Sequence, residues 1–246
     1  MWFSVITIFP EMFQALQAGL VGKAIQKQQI HLTLTNPRDF ATDKHQTVDD
    51  KPYGGGPGMI MRPDPLAKAL QACKDQTPLA PKVIYLSPQG KLFNQHRAER
   101  LAEEGSVILL AGRYEGIDQR IIDLYVDEEW TIGDYILMGG ELAIMVVIET
   151  TTRLLPNVLG NEASIREDSI SSGLIKFPQY TRPETFQNLP VPSVLLSGDH
   201  RSVAAWRLKQ SLGQTWLKRP DLLKNNMLSQ EAQALLQEFI EDQDEK

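Results

Sequence analysis

The first part of the chain alternates strand-like and helix-like hydrophobic patterns. Trp2–Phe9 (WFSVITIF) is rich in aromatic and β-branched residues and stops at Pro10, which predicts a strand. A helical stretch follows through Gln29, and His31–Thr35 (HLTLT) predicts a second strand. Residues 36–62 contain the Gly- and Pro-rich run Pro52–Gly58 (PYGGGPG) and read as a long loop. Helix signals resume over Asp64–Lys74. Strand Lys82–Leu86, a helix Asn94–Glu103 with Asn94 as its N-cap, and strand Val107–Ala111 come next. Ile117–Leu124 predicts a short helix, Tyr125–Ile132 a strand, and Glu141–Leu155 a long helix ended by Pro156. This alternation predicts an α/β fold with a mainly parallel sheet covered by helices on both faces.

Beyond Pro156 the texture changes. Residues 157–173 (NVLGNEASIREDSISSG) are small and polar with no clear period, the pattern of a linker or mobile loop. Helical periods return at Ser202–Ser211, Asp221–Asn226 and Ser229–Glu241. The expected organisation is a first domain over 1–160, a flexible linker over 161–172, and a small all-α domain over 173–246.

Composition narrows the class. A chain of 246 residues with 42% hydrophobic and 23% charged residues can bury a sizeable core. The single Cys73 excludes a disulfide framework and suits a reducing compartment, so a cytoplasmic location is expected. The longest purely apolar run, Leu142–Ile148, is too short to span a bilayer, and no positive charge precedes Lys23 as a secretory signal would require. No membrane partner is expected. The net charge is −6, yet residues 166–224 hold nine Lys or Arg against five Asp or Glu. Such a segment can meet phosphate; it also fits a solvated helical surface.

Three consecutive strands end in glycine-bearing turns. They are Leu86-Ser87-Pro88-Gln89-Gly90, Leu110-Ala111-Gly112-Arg113-Tyr114-Glu115-Gly116, and Ile132-Gly133-Asp134-Tyr135-Ile136-Leu137-Met138-Gly139-Gly140. Ligands of open parallel sheets collect at the carboxyl ends of strands, and glycine lets backbone approach them closely. One such turn is ordinary punctuation; three in neighbouring positions point to a shared nucleotide-like pocket. The chain has no P-loop, no dinucleotide fingerprint after the first strand, no HExxH and no nucleophile elbow. A nicotinamide-dependent dehydrogenase is therefore disfavoured. The four histidines (31, 45, 96 and 200) show no metal-ligand spacing.

These turns, LSPQG, LLAGRYEGID and TIGDYILMGGEL, resemble those of the bacterial tRNA (guanine-N1)-methyltransferases of the SPOUT class. Further matches are Asp49–Met59 (DDKPYGGGPGM), Arg153–Gly160 (RLLPNVLG), Glu167-Asp168-Ser169, Tyr180-Thr181-Arg182-Pro183, and Leu196–His200 with Trp206-Arg207. The resemblance covers roughly residues 1–240. Met138, Ala143, Glu149 and Arg201 depart from the family pattern.

The resemblance implies a fold with a trefoil knot around the cofactor, and a homodimer whose active site is shared across the interface. It implies methyl transfer from S-adenosyl-L-methionine to N1 of guanine 37 of tRNA, beside the anticodon, with a requirement for Mg2+. It places Leu86, Ser87, Gly112, Tyr114, Glu115, Ile132, Gly133, Asp134, Tyr135, Ile136, Leu137, Gly139 and Gly140 around the cofactor. It makes Asp168 the general base and Arg153 the residue that stabilises charge on O6. Taken alone, Asp168 reads as a loop aspartate and Arg153 as a cation near a helix C-terminus. Arg201, Arg207, Lys209, Lys218 and Arg219 are the candidates to meet RNA phosphates.

Overall fold

The structure, a computed structural model, describes residues 1–77, 79–160, 168–170, 173–224 and 228–244. The chain divides into two compact units, Met1–Gly160 and Asn161–Lys246. Residues 161–167 and 171–172, most of the expected linker, lie outside the described residues, as do Asn225 and Asn226 at the end of one expected helix.

Unit 1 is built on a five-stranded sheet of β1 (Trp2–Ile6), β2 (His31–Thr35), β5 (Lys82–Leu92), β6 (Ser106–Ala111) and β7 (Glu128–Thr131). Its order is β2-β1-β6-β5-β7 and every pairing is parallel. The helices are α1 (Gly19–Gln26), α2 (Pro63–Gln76), α3 (Gln95–Glu104), α4 (Gln119–Tyr125) and α5 (Glu141–Thr152). A two-residue pairing of β3 (Asp49–Asp50) with β4 (Ile60–Met61) closes the Gly-rich loop. The expected mixed α/β architecture with a mainly parallel sheet is what this unit has.

Alternation along each strand sorts side chains to the two faces. Phe3, Val5, Ile84, Leu86, Val107 and Leu109 pack with Val21, Ala24, Leu101, Ile144, Val147 and Ile148 from α1, α3 and α5. Ile6, Val83, Tyr85, Ile108 and Leu110 pack with Leu66, Ala69, Leu70, Cys73 and Ile121 from α2 and α4. The central strand β6 (SVILLA) is buried at every residue, as a strand covered on both faces must be. Each fully buried large aliphatic side chain contributes roughly 1.5–3 kcal/mol of hydrophobic stabilisation. The Asn94 carboxamide accepts from the Arg97 N–H at 3.0 Å and caps α3, as expected, and Gly105 ends that helix with a φ of +77°.

Several elements are shorter than expected, β1 stopping at Ile6, β7 spanning Glu128–Thr131 and α5 stopping at Thr152, and the expected long loop holds β3 and β4; three further segments differ in kind. Residues 10–29 hold a 3-10 segment, Pro10–Gln17, and then α1, because Ala18 is extended and Gly19 takes φ +64°. Strand β5 does not stop at Leu86. Its register with β7 shifts between Leu86 and Lys91, so the LSPQG turn is an excursion inside a longer strand. Gly90 lies so close to the Trp130 backbone that no side chain fits there.

The third difference is in unit 2. Its helices are α6 (His200–Lys218), α7 (Pro220–Lys224) and α8 (Gln230–Asp244). It also holds a short hairpin, β8 (Thr185–Phe186) with β9 (Leu189–Pro190), so it departs from the all-α expectation. Gln187 and Asn188 both take positive φ, +48° and +65°, the geometry a two-residue hairpin turn requires. Asp199 caps α6 by accepting from the Arg201 and Ser202 N–H groups at 3.0 and 3.3 Å. Gly213 of α6 lies against the Phe239 ring, where even a methyl group would clash. Among the described residues no helix is long and apolar enough to cross a membrane.

Candidate active site

The three glycine-bearing turns converge on one cavity of about 280 Å³ in unit 1. Leu86, Ser87, Gly112, Tyr114, Glu115, Ile132, Gly133, Tyr135, Ile136, Leu137, Gly139 and Gly140 all line it. Asp134 does not; it is exposed between Gly133 and Tyr135. Sequence reasoning missed Tyr85, Trp130, Thr131 and Ala143, which also line the cavity, and left out Pro88, Gln89, Arg113, Gly116 and Met138, which line it from within the three turns. Tyr85 and Trp130 belong to hydrophobic strands and look like plain core. Arg113 stands within the second turn and was open to inclusion.

Backbone proximity shapes the cavity. Gly140 N–H donates to the Gly112 carbonyl at 3.0 Å, and Arg113 and Gly139 form an isolated antiparallel bridge. The second and third turns are thereby joined. A Cβ on Gly140 would lie 3.0 Å from Ala111 Cα and 3.3 Å from Gly112 N, so only glycine sits there without displacing backbone. A Cβ on Gly112 would lie 2.6 Å from the Tyr85 hydroxyl. Burial is the main force pushing the Tyr85 phenol up to about 12, helped by the nearby Glu129 carboxylate and opposed by a hydrogen bond with the Ile117 backbone. The Thr131 hydroxyl donates to the Gly133 carbonyl at 2.9 Å and fixes the start of the third turn.

The Gly-rich loop joins the same region. Glu115 N–H donates to the Met59 carbonyl at 2.9 Å, and Met61 N–H donates to the Gly116 carbonyl at 2.9 Å. Gly58 is packed directly against the Glu115 side chain. Tyr114 adopts a left-handed φ of +59°. Its phenol is raised from the ordinary value, first by burial and then by the Asp49 carboxylate, with Arg38 acting in the opposite direction.

Beneath the third turn lies a buried ion pair. Glu141 is fully buried at the first turn of α5. Its carboxylate accepts from Arg113 Nε at 2.9 and 3.1 Å and from the Thr7 hydroxyl at 2.9 Å. Arg113 also donates from Nη1 to the Met138 carbonyl at 3.3 Å, and its guanidinium lies 4.5 Å from the centre of the Phe9 ring. The end of β1, the second turn and the start of α5 are thus tied together by charge-assisted bonds.

The other expected residues are spread over both units. Arg153 is the C-cap of α5, its N–H donating to the Glu149 carbonyl at 3.3 Å. Asp168 is in unit 2, where its Oδ1 lies 3.7 Å from Lys176 Nζ. Of the candidate RNA contacts, Arg201 and Lys218 are exposed on α6. Arg207 stacks over Phe177 with its guanidinium 4.8 Å from the ring centre. Lys209 pairs with Glu238 at 3.3 Å and Asp242 at 2.9 Å, and Arg219 pairs with Asp221 at 2.7 Å. Burial alone would lower the Lys209 ammonium; its hydrogen bonds with Asp242 and Glu238 outweigh that and raise it. Lys209 therefore clamps α6 to α8.

The comparisons with known proteins decide the family. The family model described as "tRNA (Guanine-1)-methyltransferase TrmD" matches residues 1–225. The chain belongs to this family. A family member from Coxiella burnetii (strain Dugway 5J108-111), named tRNA (guanine-N(1)-)-methyltransferase, is 57% identical over 238 residues, 97% of each chain. Methyltransferases of the same name from Shewanella woodyi and Pseudoalteromonas atlantica are 53% and 52% identical. The first covers 100% of this chain and 99% of its own length, the second 98% and 91%. All three turns lie inside the matched span.

A metal site fits the described residues poorly. No group of three or more His, Cys, Asp or Glu side chains among them converges as a metal-binding cluster. In unit 1 Glu141 is already engaged by Arg113 and Thr7, and in unit 2 Asp168 faces an ammonium. The cavity between the three turns is different: glycine at 112 and 140 lets the backbone lie close against Tyr85 and Ala111 there, leaving room of about 280 Å³ between the turns.

Proposed function

We propose that the protein transfers the methyl group of S-adenosyl-L-methionine to N1 of guanine 37 in tRNA. The observation that carries this reading is the nearly full-length match to relatives named tRNA (guanine-N(1)-)-methyltransferase. The convergence of the three turns on one cavity supports it independently. The cofactor would lie among Leu86, Ser87, Gly112, Tyr114, Glu115, Ile132, Gly133, Tyr135, Ile136, Leu137, Gly139 and Gly140, and it supplies an electrophilic methyl group on a sulfonium. Asp134 is the weakest member of the expected set, since it points to no cavity wall. The trefoil knot that the family resemblance implies would involve the turns at Leu86-Ser87, Gly112–Glu115 and Ile132–Gly140, the last two of which are joined by the Gly140–Gly112 hydrogen bond.

Guanine N1 carries a proton at neutral pH, so its lone pair is not free to attack. Asp168 takes that proton as general base while the N1–methyl bond forms and the methyl–sulfur bond breaks. Arg153, always protonated and rich in donors, stabilises the negative charge that develops on O6. Arg201 and Lys218 meet RNA phosphates; Arg207, Lys209 and Arg219 do so only by giving up the partners described above. No step is routed through magnesium, which the described residues do not cage.

The working form would be a homodimer with a site shared between copies. Exposed apolar side chains at Ile136, Met138, Leu142 and Val146 support an interface beside the cavity. A tRNA substrate supports a cytoplasmic location for the reaction. The test is methyl transfer from labelled cofactor to two tRNA transcripts, with guanine or adenine at position 37, followed by nucleoside analysis. N1-methylguanosine from the first and almost no label in the second is expected. Equal labelling of both, or label on a ribose hydroxyl, overturns the reading.

A further inference from the structure

The segment that carries Asp168 is held by a clasp whose parts all lie in unit 2. Lys176 N–H donates to the Ser169 hydroxyl at 3.0 Å, and Ile170 N–H donates to the Leu174 carbonyl at 2.9 Å. Residues 168–170 therefore lie alongside residues 174–176. The second of these segments is anchored to α6: Ile175 N–H donates to the Thr215 hydroxyl oxygen at 2.8 Å. Thr215 is fully buried, and its hydroxyl donates in turn to the Ser211 carbonyl at 2.6 Å. From this anchored segment Lys176 extends its ammonium to 3.7 Å from Asp168 Oδ1, both side chains being about three-quarters buried at 23% and 25% exposure.

We propose that Lys176 is a positioning residue for Asp168 in methyl transfer, fixing the carboxylate at the end of a clasp rooted on α6. The proposal rests on Asp168 being the general base. A loose ion pair at 3.7 Å that keeps part of both side chains in water adds on the order of 1 kcal/mol to stability, so folding alone gives little reason for it. Its consequence for chemistry is larger. A general base works only within hydrogen-bond reach of the proton it removes, so the direction in which the clasp and Lys176 hold the carboxylate decides whether it can act. Lys176 approaches Oδ1 at 3.7 Å, and an ionised carboxylate has acceptor sites on both oxygens, so this one ionic contact orients the base without using it up. At 3.7 Å the contact is ionic rather than a hydrogen bond, so Lys176 does not compete as a tight donor with the proton of the substrate.

The experiment is a double-mutant cycle on the full-length protein, read by single-turnover methyl transfer to tRNA at saturating cofactor over a range of tRNA concentrations. The variants are Lys176→Met, Lys176→Arg, Asp168→Asn and Lys176→Met combined with Asp168→Asn. Lys176→Met is expected to slow the chemical step roughly tenfold to a hundredfold, the scale of a misplaced reacting group. Its thermal midpoint and tRNA half-saturation should stay near wild type. Lys176→Arg should recover most of the rate. In the Asp168→Asn background Lys176→Met should have no further effect, because no base remains to be positioned.

A Lys176→Met enzyme within twofold of wild type, beside a slow Asp168→Asn enzyme, overturns the proposal and leaves the base intact. Equal slowing in both backgrounds, or a raised tRNA half-saturation with an unchanged step, also overturns it and makes Lys176 a phosphate contact. An Asp168→Asn enzyme at wild-type speed removes the base itself, and the positioning role with it.

Discussion

Replacing Glu141 with glutamine tests whether the start of α5 is locked by charge. The carboxylate is fully buried and accepts two bonds from Arg113 Nε and one from Thr7. The amide keeps the shape and the Thr7 contact but leaves the guanidinium, only 17% exposed, without its counter-charge. Removing one partner of a buried pair costs about 3–5 kcal/mol. The edge of Arg113 that remains in water, and its surviving contacts with the Met138 carbonyl and the Phe9 ring, reduce this to about 2–4 kcal/mol. In a domain of this size each kcal/mol moves the thermal midpoint by roughly 2–4 °C, so unit 1 should melt about 5–15 °C lower. Denaturant unfolding and calorimetry of Glu141→Gln measure it. The combined Arg113→Met and Glu141→Leu variant should lose less than the two single changes added together, since no charge is then stranded. A Glu141→Gln protein within about 0.5 kcal/mol of wild type, or strict additivity in the double variant, refutes the lock.

Two further outcomes follow from the site. The Tyr85 phenol is raised from 10 to about 12, so the folded state keeps its proton while the unfolded chain loses it. Its contribution is complete below pH 10 and is lost as pH rises towards 12; at pH 11 wild type should have lost about 1.4 kcal/mol relative to its margin over Tyr85→Phe at pH 9, as read by denaturant unfolding. A margin that stays flat between those pH values contradicts the burial argument. For the shared site, an Asp168→Ala chain mixed with a Gly140→Val chain should regain part of the activity once subunits have exchanged. Exchange without any recovery means that each chain works alone.

The sheet was legible because its signals are local. Runs of branched and aromatic residues mark the strands, and β2 spans His31–Thr35 as expected. The three turns were legible as a pocket because a parallel sheet sends consecutive strand ends to one edge. What joins distant segments was not legible. Glu141 reads as an acidic residue in a first helical turn, and nothing in its neighbours foretells a bond to Thr7 at the far end of β1. The docking of Gly58 and Met59 on Glu115 depends on a loop closing across more than fifty residues. Lys209 looked like a free cation because its acidic partners, Glu238 and Asp242, lie on another helix. The hairpin at Thr185–Pro190 escaped because Gln187-Asn188 lacks the glycine that marks most such turns.

The central claim is that the three turns form the cofactor pocket, and calorimetric titration with S-adenosylhomocysteine tests it most directly. Wild type should bind with a saturable heat. Gly140→Val, whose side chain must invade the space beside Ala111 and Gly112, should give no measurable heat while remaining folded by circular dichroism. Undiminished binding by that variant would place the cofactor elsewhere and contradict the account.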